Sequence, residues 1–521
     1  MLRFKVTSGT LAGMPAQAAG LLLKPSLLPL LILSGLLGLG WQSTVQGDES
    51  TNTTNAIRHL KRTITPQRDE SHLTRLTALR GLGDPALEQL FLRLLQHDSW
   101  QVQVYAVLGL AELSENGNVM PWLVTQIHSE ARDQVLAIAM DEQRLGPEEI
   151  AELTEWKGLQ PANLVAMLAY SNSIGDTVDI EMLKPLTTSN NEKVAAAAWL
   201  VMAWLGDETA LENIDEIIKD LPETRQFDIL LTMIMLINRY EIKEAAQWLD
   251  SLLSESRSQA RFQEMLLAGT STLLMLDKER GLKHWRIEFG ENPKRRQQIT
   301  AALMLLQVGV ALEAEDSSRL DVDDELIGTI VEAGNAVAND RSDTPQRLIE
   351  LVDLNHVRST TLIPGVLENL PPEQATVILN SFLDRMDNEN FTSVDQMLAI
   401  DATERLLELD PDLVIERLKI VADESPLQEA MLYGLLRQRG PDVLEAVESI
   451  QQIGLSRTDS LALLVIARDS ETLDETQLGR LGLIASGGGL VEPLQVQAAW
   501  LYLKHTGSVD DAINQLVPEG S

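Results

Sequence analysis

The chain has 521 residues and a formal net charge of −35, from 77 acidic and 42 basic side chains. Such a negative field repels phosphate backbones, which argues against general binding of nucleic acid. The chain has no cysteine, so disulfides, thiolate metal sites and thiol catalysis are excluded. Hydrophobic residues make up 44% of the chain but aromatic residues only 4%, which favours helix-on-helix packing over β-structure.

Residues 1–47 differ in character from the rest of the chain. They contain Arg3, Lys5 and Lys24 but no Asp or Glu, and an apolar run extends from Leu27 to Gly40. This pattern predicts a signal peptide or an N-terminal membrane anchor. We therefore expect an exported chain, either periplasmic or anchored and facing the non-cytoplasmic side. Residues 48–69 are polar and are predicted to be a flexible tether.

A regular series of helix ends follows. Gly83, Ser114, Gly146, Gly175 and Gly206 each come directly after an apolar residue, at intervals of 29–32 residues. A fixed period of this length is typical of stacked repeats, and each period can hold two helices and two turns. One such hairpin cannot bury its apolar face alone, so the pattern predicts a continuous stack of hairpins.

The second repeat illustrates the expected hairpin. Its helices are predicted near Ala86–Gln96 and Trp100–Leu113, with Asp98 or Ser99 able to cap the second helix. Gly109 lies on the apolar stripe of the second helix, where its small size would let a neighbouring helix pack closely.

These repeats resemble a known family. The resemblance rests on the apolar-Gly-Asp endings and on two segments, Asp98-x-x-x-Val102-x-x-x-Ala106 and Val194-x-x-x-Ala198. They are similar to bacterial HEAT-like repeats across about Ser71–Asp207, although Gln103 and Ala195 stand where the family often has Arg. The resemblance implies an all-α fold, an α-solenoid of stacked antiparallel helix hairpins without significant β-sheet, and identifies a scaffold class rather than an activity.

The remaining chain is predicted to form two further regions. Helix pairs continue with a looser period, which gives an N-terminal HEAT-like solenoid over 70–315. An acidic stretch then predicts a linker over 316–345, and helical repeats resume in a C-terminal solenoid over 346–521. In that half, Ala402-x-x-x-Leu406-x-x-Leu409-Asp410-Pro411 resembles a tetratricopeptide-type ending.

The densest basic cluster of this acidic chain is a candidate docking patch for a protein partner. Its proposed members are Arg286, Lys294, Arg295 and Arg296. The alternative is an inter-helix loop whose charge is neutralised by nearby Glu279, Glu288 and Glu291.

No pattern of catalytic, cofactor-binding or metal-binding residues is found. None of the seven histidines lies three or four residues from another, so no helix presents a paired-His metal face. The Asp321-x-Asp323-x-Glu325 segment has Leu326 where a calcium loop needs glycine. Hydrolase elbows and Ser-x-x-Lys motifs are absent from the sequence.

The sequence therefore predicts a non-enzymatic, exported or membrane-tethered scaffold that binds protein partners on an extended concave surface. Nucleic acid is not an expected partner, whereas membrane contact through the N-terminal segment is. Two alternatives remain: an enzyme or small-ligand-binding protein with a site assembled between repeats, as in the bilin lyases that contain HEAT-like repeats, or a self-assembling coat component.

Overall fold

The computed structural model describes residues 49–517 apart from short gaps. The gaps are 115–116, 124, 126, 157–158, 220, 257–262, 291–292, 314–315, 317–318, 355, 369, 387–390, 439, 449–455 and 488–489. The predicted signal peptide or anchor over 1–47 lies outside the described residues. Within the described ranges, no helix is both long enough and apolar enough to span a membrane.

The described residues form α-helices and short 3₁₀ turns, with no strand among them, so the predicted all-α fold is confirmed. The α-helices are α1 (Glu49–Ile64), α2 (Ser71–Leu82), α3 (Glu88–Leu94), α4 (Trp100–Leu113), α5 (Met120–Leu123), α6 (Ser129–Asp141), α7 (Pro147–Thr154), α8 (Pro161–Ser173), α9 (Glu192–Trp204), α10 (Ala210–Lys219), α11 (Glu223–Tyr240), α12 (Ala246–Ser256), α13 (Gln263–Leu276), α14 (Lys278–Phe289), α15 (Arg295–Gln307), α16 (Glu325–Ala338), α17 (Thr344–Asp353), α18 (Val357–Leu367), α19 (Pro372–Met386), α20 (Ser393–Leu409), α21 (Pro411–Ile420), α22 (Pro426–Arg437), α23 (Pro441–Glu448), α24 (Arg457–Asp469), α25 (Glu475–Ala485), α26 (Glu492–His505) and α27 (Val509–Leu516). The 3₁₀ turns are Pro85–Leu87, Ile180–Met182, Leu186–Thr188 and Lys243–Ala245.

The second repeat forms the predicted hairpin. Its second helix is α4, with the predicted bounds, and the first is a 3₁₀ turn continued by α3. A Cβ on Gly109 would lie 2.5 Å from Cε2 of Phe91, so a glycine at this position permits the close approach of α3 and α4. Gly83 ends α2 in the left-handed conformation, at φ 54°. Ser99 is the N-cap residue of α4, but its side chain makes no capping hydrogen bond.

The longer helix of many hairpins is buried on almost all sides. In α24, residues 460–468 are all buried, and in α26 residues 496–503 are. The amphipathic α10, in contrast, buries only Ala210 and Ile214. Buried helices such as α24 and α26 therefore present few side chains to solvent, whereas an amphipathic helix such as α10 presents most of its own.

The chain divides into two compact units. Among the described residues, unit 1 contains 49–145 together with 372–517, and unit 2 contains Gly146–Pro371. In unit 1, α2 packs on α26 as well as on α4, so the row of buried helices continues from the last repeat to the first. Two ion pairs join these ends: Arg75 to Glu492 at 2.9 Å and Lys504 to Asp84 at 3.0 Å.

Most of the segment predicted to be a flexible tether is folded. Residues 49–64 form α1, which packs on α25 and α26 and buries Ala56, Leu60 and Ile64. The Ser486 hydroxyl also donates to Asn52 Oδ1 at 2.9 Å. Only four apolar residues interrupt a polar sequence here, so the local pattern does not reveal a helix that depends on a distant part of the chain.

The acidic stretch predicted to be a linker also contains a helix. In unit 2, α16 packs on α15 and α17, and Ile327 and Ile330 are fully buried. Asp324 is its N-cap residue and accepts from Ile327 N at 3.2 Å. Acidic residues are stabilising at the start of a helix, so part of the charge attributed to a solvated linker lies at a helix N-terminus.

A buried amide links consecutive repeats at the position where the resembling family often has Arg. Gln103, which is 4% exposed, donates to the carbonyl oxygens of Leu95 at 3.0 Å and His97 at 2.9 Å. Its Oε1 accepts from His128 N, at the start of α6, at 2.8 Å. One side chain therefore satisfies backbone groups of its own hairpin turn and of the next repeat.

The side chain at the fourth position of other helices also binds backbone groups of the preceding turn. Arg132 of α6 donates to Thr125 O at 2.9 Å. In unit 2, Gln298 of α15 donates to Pro293 O at 2.9 Å and accepts from Asp321 N at 2.7 Å. The linkage thus requires a donor that can reach the preceding turn, which an amide and a guanidinium both supply.

Candidate protein-docking surface

The predicted basic patch lies on the hairpin of α14 and α15 in unit 2. Asp277 caps α14 by accepting from Arg280 N at 3.1 Å, and Gly290, at φ 63°, ends the helix. The Lys294 backbone then donates to Gln297 Oε1 at 3.0 Å at the start of α15. These contacts fix both ends of the turn.

Buried aromatic and imidazole groups hold α14 in place. Trp285 is fully buried and donates from Nε1 to Ala301 O of α15 at 3.1 Å. The side chain of His284, 1% exposed, lies 2.5 Å from Asp250 Oδ1 of α12. The hydrogen bond with His284 is the main cause of the lowered pKa of Asp250. The basic turn is therefore carried by a well-anchored helix.

Arg286 is engaged within the protein. Its guanidinium binds Asp316 through two hydrogen bonds of 2.8 Å and reaches Glu313 at 2.8 Å. Asp316 is 1% exposed, and Arg319 donates to Gly290 O at 2.8 Å. Bidentate carboxylate binding fixes geometry, so Arg286 fastens the segment after α15 onto the end of α14.

Arg295 is also paired. Its guanidinium donates to the two carboxylate oxygens of Asp324 at 2.7 and 3.2 Å. The hydrogen bond from Arg295 is the main reason that the pKa of Asp324 lies below its usual value. This pair joins the first turns of α15 and α16. Two of the four predicted docking residues are therefore occupied by internal partners.

The other two predicted residues are open to solvent. Lys294 and Arg296 are exposed, and neither has an ion-pair partner among the described residues. The predicted neutralising residue Glu291 lies outside the described residues. The fixed turn holds both cationic side chains at one end of the hairpin, and the exposed Asp321 and Asp323 belong to the segment that binds α15.

Two exposed apolar residues belong to this hairpin and to the segment that packs on it. Ile287, 49% exposed, follows Arg286 on α14, and Val322 is 44% exposed. Val322 follows Asp321, whose backbone binds Gln298 of α15, so the segment lies beside the same hairpin. We call Ile287, Lys294, Arg296 and Val322 the turn surface. Its mixture of cations and apolar side chains suits a protein segment that carries carboxylates and an apolar residue.

Ile287 and Val322 do not belong to the basic patch that the sequence predicts. One signal was present, because each is an isolated apolar residue between charged neighbours. Their exposure depends on how α14 and the 319–322 segment pack, which a local pattern does not specify.

A strongly shifted carboxyl group occurs elsewhere, in unit 1. Burial, opposed by Arg437 and reinforced by Asp401 and Glu408, raises the pKa of Glu404 to about 7. The Glu404 side chain is 15% exposed and lies 2.9 Å from Arg437 of α22. This arrangement is a charge pair between packed helices, which by itself assigns no reaction.

No metal site is formed by the described part of the chain, in which no group of three or more His, Asp or Glu side chains could hold an ion. No protein-family model matches the chain, and neither a curated protein nor a solved structure is found to be similar to it. The resemblance to HEAT-like repeats consequently rests on the sequence motifs alone.

Proposed function

We propose that this chain is a non-enzymatic helical-repeat scaffold that binds an acidic protein partner through the turn surface. The proposal rests mainly on two exposed cations, Lys294 and Arg296, on an anchored hairpin. The exposed Ile287 belongs to the same hairpin, and the exposed Val322 belongs to the segment that packs on it. The predicted leader supports export of this scaffold, in a soluble or membrane-tethered form.

The negative charge of the rest of the chain makes an acidic partner more selective for the turn surface. In a chain of net charge −35, most of the surface repels an acidic segment, so a small basic area is favoured over the rest. Charges beyond about 10 Å are screened at moderate salt, which leaves the local cations dominant at contact. The apolar residues add contact area that salt does not screen.

Binding on the turns also agrees with where exposed surface is found. Some helices at the centre of the hairpin stack, such as α24 and α26, bury most of their residues, which leaves little of these helices for a partner. We therefore assign partner recognition to hairpin ends rather than to the extended concave surface expected from sequence.

The test is cross-linking capture in cells of a C-terminally tagged chain, with partners identified by mass spectrometry. The variant Lys294→Glu with Arg296→Glu should reduce recovery of a stoichiometric partner by about tenfold. The matched control is Lys219→Glu with Lys243→Glu, which reverses two exposed lysines elsewhere in unit 2. A second variant, Ile287→Ser with Val322→Ser, should weaken recovery without a change of charge.

Thermal unfolding followed by circular dichroism should show no loss of stability in the Lys294/Arg296 variant, because neither residue forms an ion pair with a described residue and Glu is favourable at the start of α15. The proposal fails if both charge-reversal variants recover the same partners in the same amounts. It also fails if the wild-type chain is recovered alone.

A further inference from the structure

A second basic surface lies on α1 in unit 1. An open groove of about 720 Å³ is lined by six residues of α1 between Ser50 and Lys61, and by Gln515 of α27. Arg58 and Lys61 are among the lining residues, and no carboxylate is. The groove is therefore positively charged although the chain as a whole is acidic.

The cations follow one side of the helix. Thr54, Arg58, Lys61 and Arg62 are all exposed, and Thr54, Arg58 and Arg62 are four residues apart, with Lys61 three residues after Arg58. Arg58, Lys61 and Arg62 have no ion-pair partner among the described residues, so these charges are available at the surface. The positive charge also affects the half-buried His59, whose pKa is lowered mainly by burial and next by Arg62.

This basic stripe is held rigidly. The opposite side of α1 packs on α25 and α26, and its buried residues Ala56 and Leu60 are completely inaccessible to solvent. A stripe fixed in this way presents its charges together without the entropy cost of ordering a flexible segment.

The stripe is also close, along the chain, to a segment suited to a membrane. The apolar run ends at Gly40, nine residues before α1 begins at Glu49. Nine residues span at most about 30 Å, so an N-terminal segment in a bilayer would keep the start of α1 near that bilayer.

We propose that the exposed face of α1 (Thr54, Arg58, Lys61 and Arg62) binds the anionic phospholipid headgroups of a bilayer. An open face lined by hydroxyl groups and cations matches a broad layer of phosphates better than it matches an enclosed ligand. Each Lys or Arg close to an anionic membrane strengthens binding by about fivefold, so three together contribute on the order of a hundredfold. This surface is separate from the turn surface, and the inference does not depend on the proposed protein partner.

The absence of cysteine makes a direct test available. Thr54→Cys provides a single labelling site for an environment-sensitive fluorophore on the full chain, and Ser254→Cys on α12 provides a control site in unit 2. The probes are phosphatidylcholine vesicles with and without phosphatidylglycerol, both carrying a headgroup-attached quencher. The quenching reports whether α1 touches headgroups, whether or not the apolar run inserts into the bilayer.

We expect quenching at position 54 with anionic vesicles but not with neutral ones, and no quenching at position 254. Added salt should weaken the signal, and Arg58→Glu, Lys61→Glu and Arg62→Glu together should abolish it at the same lipid concentration. Arg58→Lys with Arg62→Lys, which keeps the charge, should retain the signal. Reversal of Lys184, Lys219 and Lys243, three exposed lysines of unit 2, should have no effect.

Equal quenching by neutral and anionic vesicles would overturn the proposal, as would quenching that is insensitive to salt. A label at position 54 that is shielded before any lipid is added would also overturn it, since the face would then be covered by another part of the chain. The salt dependence of quenching is measured on the labelled chain without charge reversal, so it tests the proposal even if the charge-reversal variant does not fold.

Discussion

Replacing Gln103 by Leu tests the linkage between repeats. The substitution keeps a similar volume at a position that is 4% exposed but removes three hydrogen bonds. The carbonyl oxygens of Leu95 and His97 and the backbone N–H of His128 lose their amide partner. We therefore expect the junction between α4 and α6 to be destabilised more than an average point mutation destabilises a protein.

The expected cost follows from the burial of these groups. The bond to Leu95 O is buried, so its loss leaves an unsatisfied acceptor that costs about 1–3 kcal/mol. The other two bonds are partly buried, and water can replace part of each, so each contributes about 0.5–1 kcal/mol. After a modest gain from the apolar side chain, the net destabilisation should be about 2–3 kcal/mol.

Hydrogen exchange followed by mass spectrometry is the suitable assay, because a chain of 521 residues is not expected to unfold in a single two-state step. Peptides from α4 and α6 should exchange about 30- to 150-fold faster in the variant, whereas peptides from α9 in unit 2 should be unaffected. Gln134→Leu on α6 is the control, since its side chain makes none of these bonds.

A third variant separates the roles of donor and acceptor. Gln103→Arg introduces the residue that the resembling family often has, and Arg132 already binds its turn carbonyls in the next repeat. This variant can donate to the carbonyls but cannot accept from His128 N, so we expect a loss of only about 1 kcal/mol. If Gln103→Leu exchanges no faster than Gln134→Leu, the linkage does not stabilise the junction.

Two further predictions concern unit 1. The pKa of Glu404 in the folded protein is raised to about 7, whereas an unfolded Glu has a pKa of about 4.3. Between these pH values the folded state holds a proton that the unfolded state has released, so the free energy of unfolding should fall as pH rises. Glu404→Gln should remove this pH dependence of stability and be about 2–3 kcal/mol more stable than the wild type at pH ~8. Unfolding measured at pH ~5 and ~8 tests this, and an equal stability difference at both pH values would contradict it. Lys504→Met should leave the Asp84 carboxylate, whose side chain is 2% exposed, without its cation and cost about 2 kcal/mol. Hydrogen exchange should then increase in both α2 and α26, and an increase confined to α26 would show that the pair does not join these helices.

Local sequence patterns predicted the hairpins well because helix ends and buried stripes are determined by residues close together in the sequence. The glycine after α2 and the predicted bounds of α4 depend on helix capping and on a 3.6-residue period, which neighbouring residues supply. The same patterns predicted a basic patch near α14 and α15, since a cluster of cations is visible in the linear sequence. They could not distinguish the paired Arg286 and Arg295 from the exposed Lys294 and Arg296, because the carboxylates that bind the first two come from another segment.

By itself, the sequence determined an all-α chain of helix hairpins, an acidic surface and the absence of thiol chemistry. Only the tertiary structure decided that α1 is a helix rather than a tether, and that α2 packs on α26 through contacts such as Gln497 with Ala78 O, 419 residues apart. The physical reason is that a weakly apolar helix such as α1 gains its stability from the surface that buries it. In unit 1 that surface lies at the opposite end of the chain, where no local pattern can reveal it.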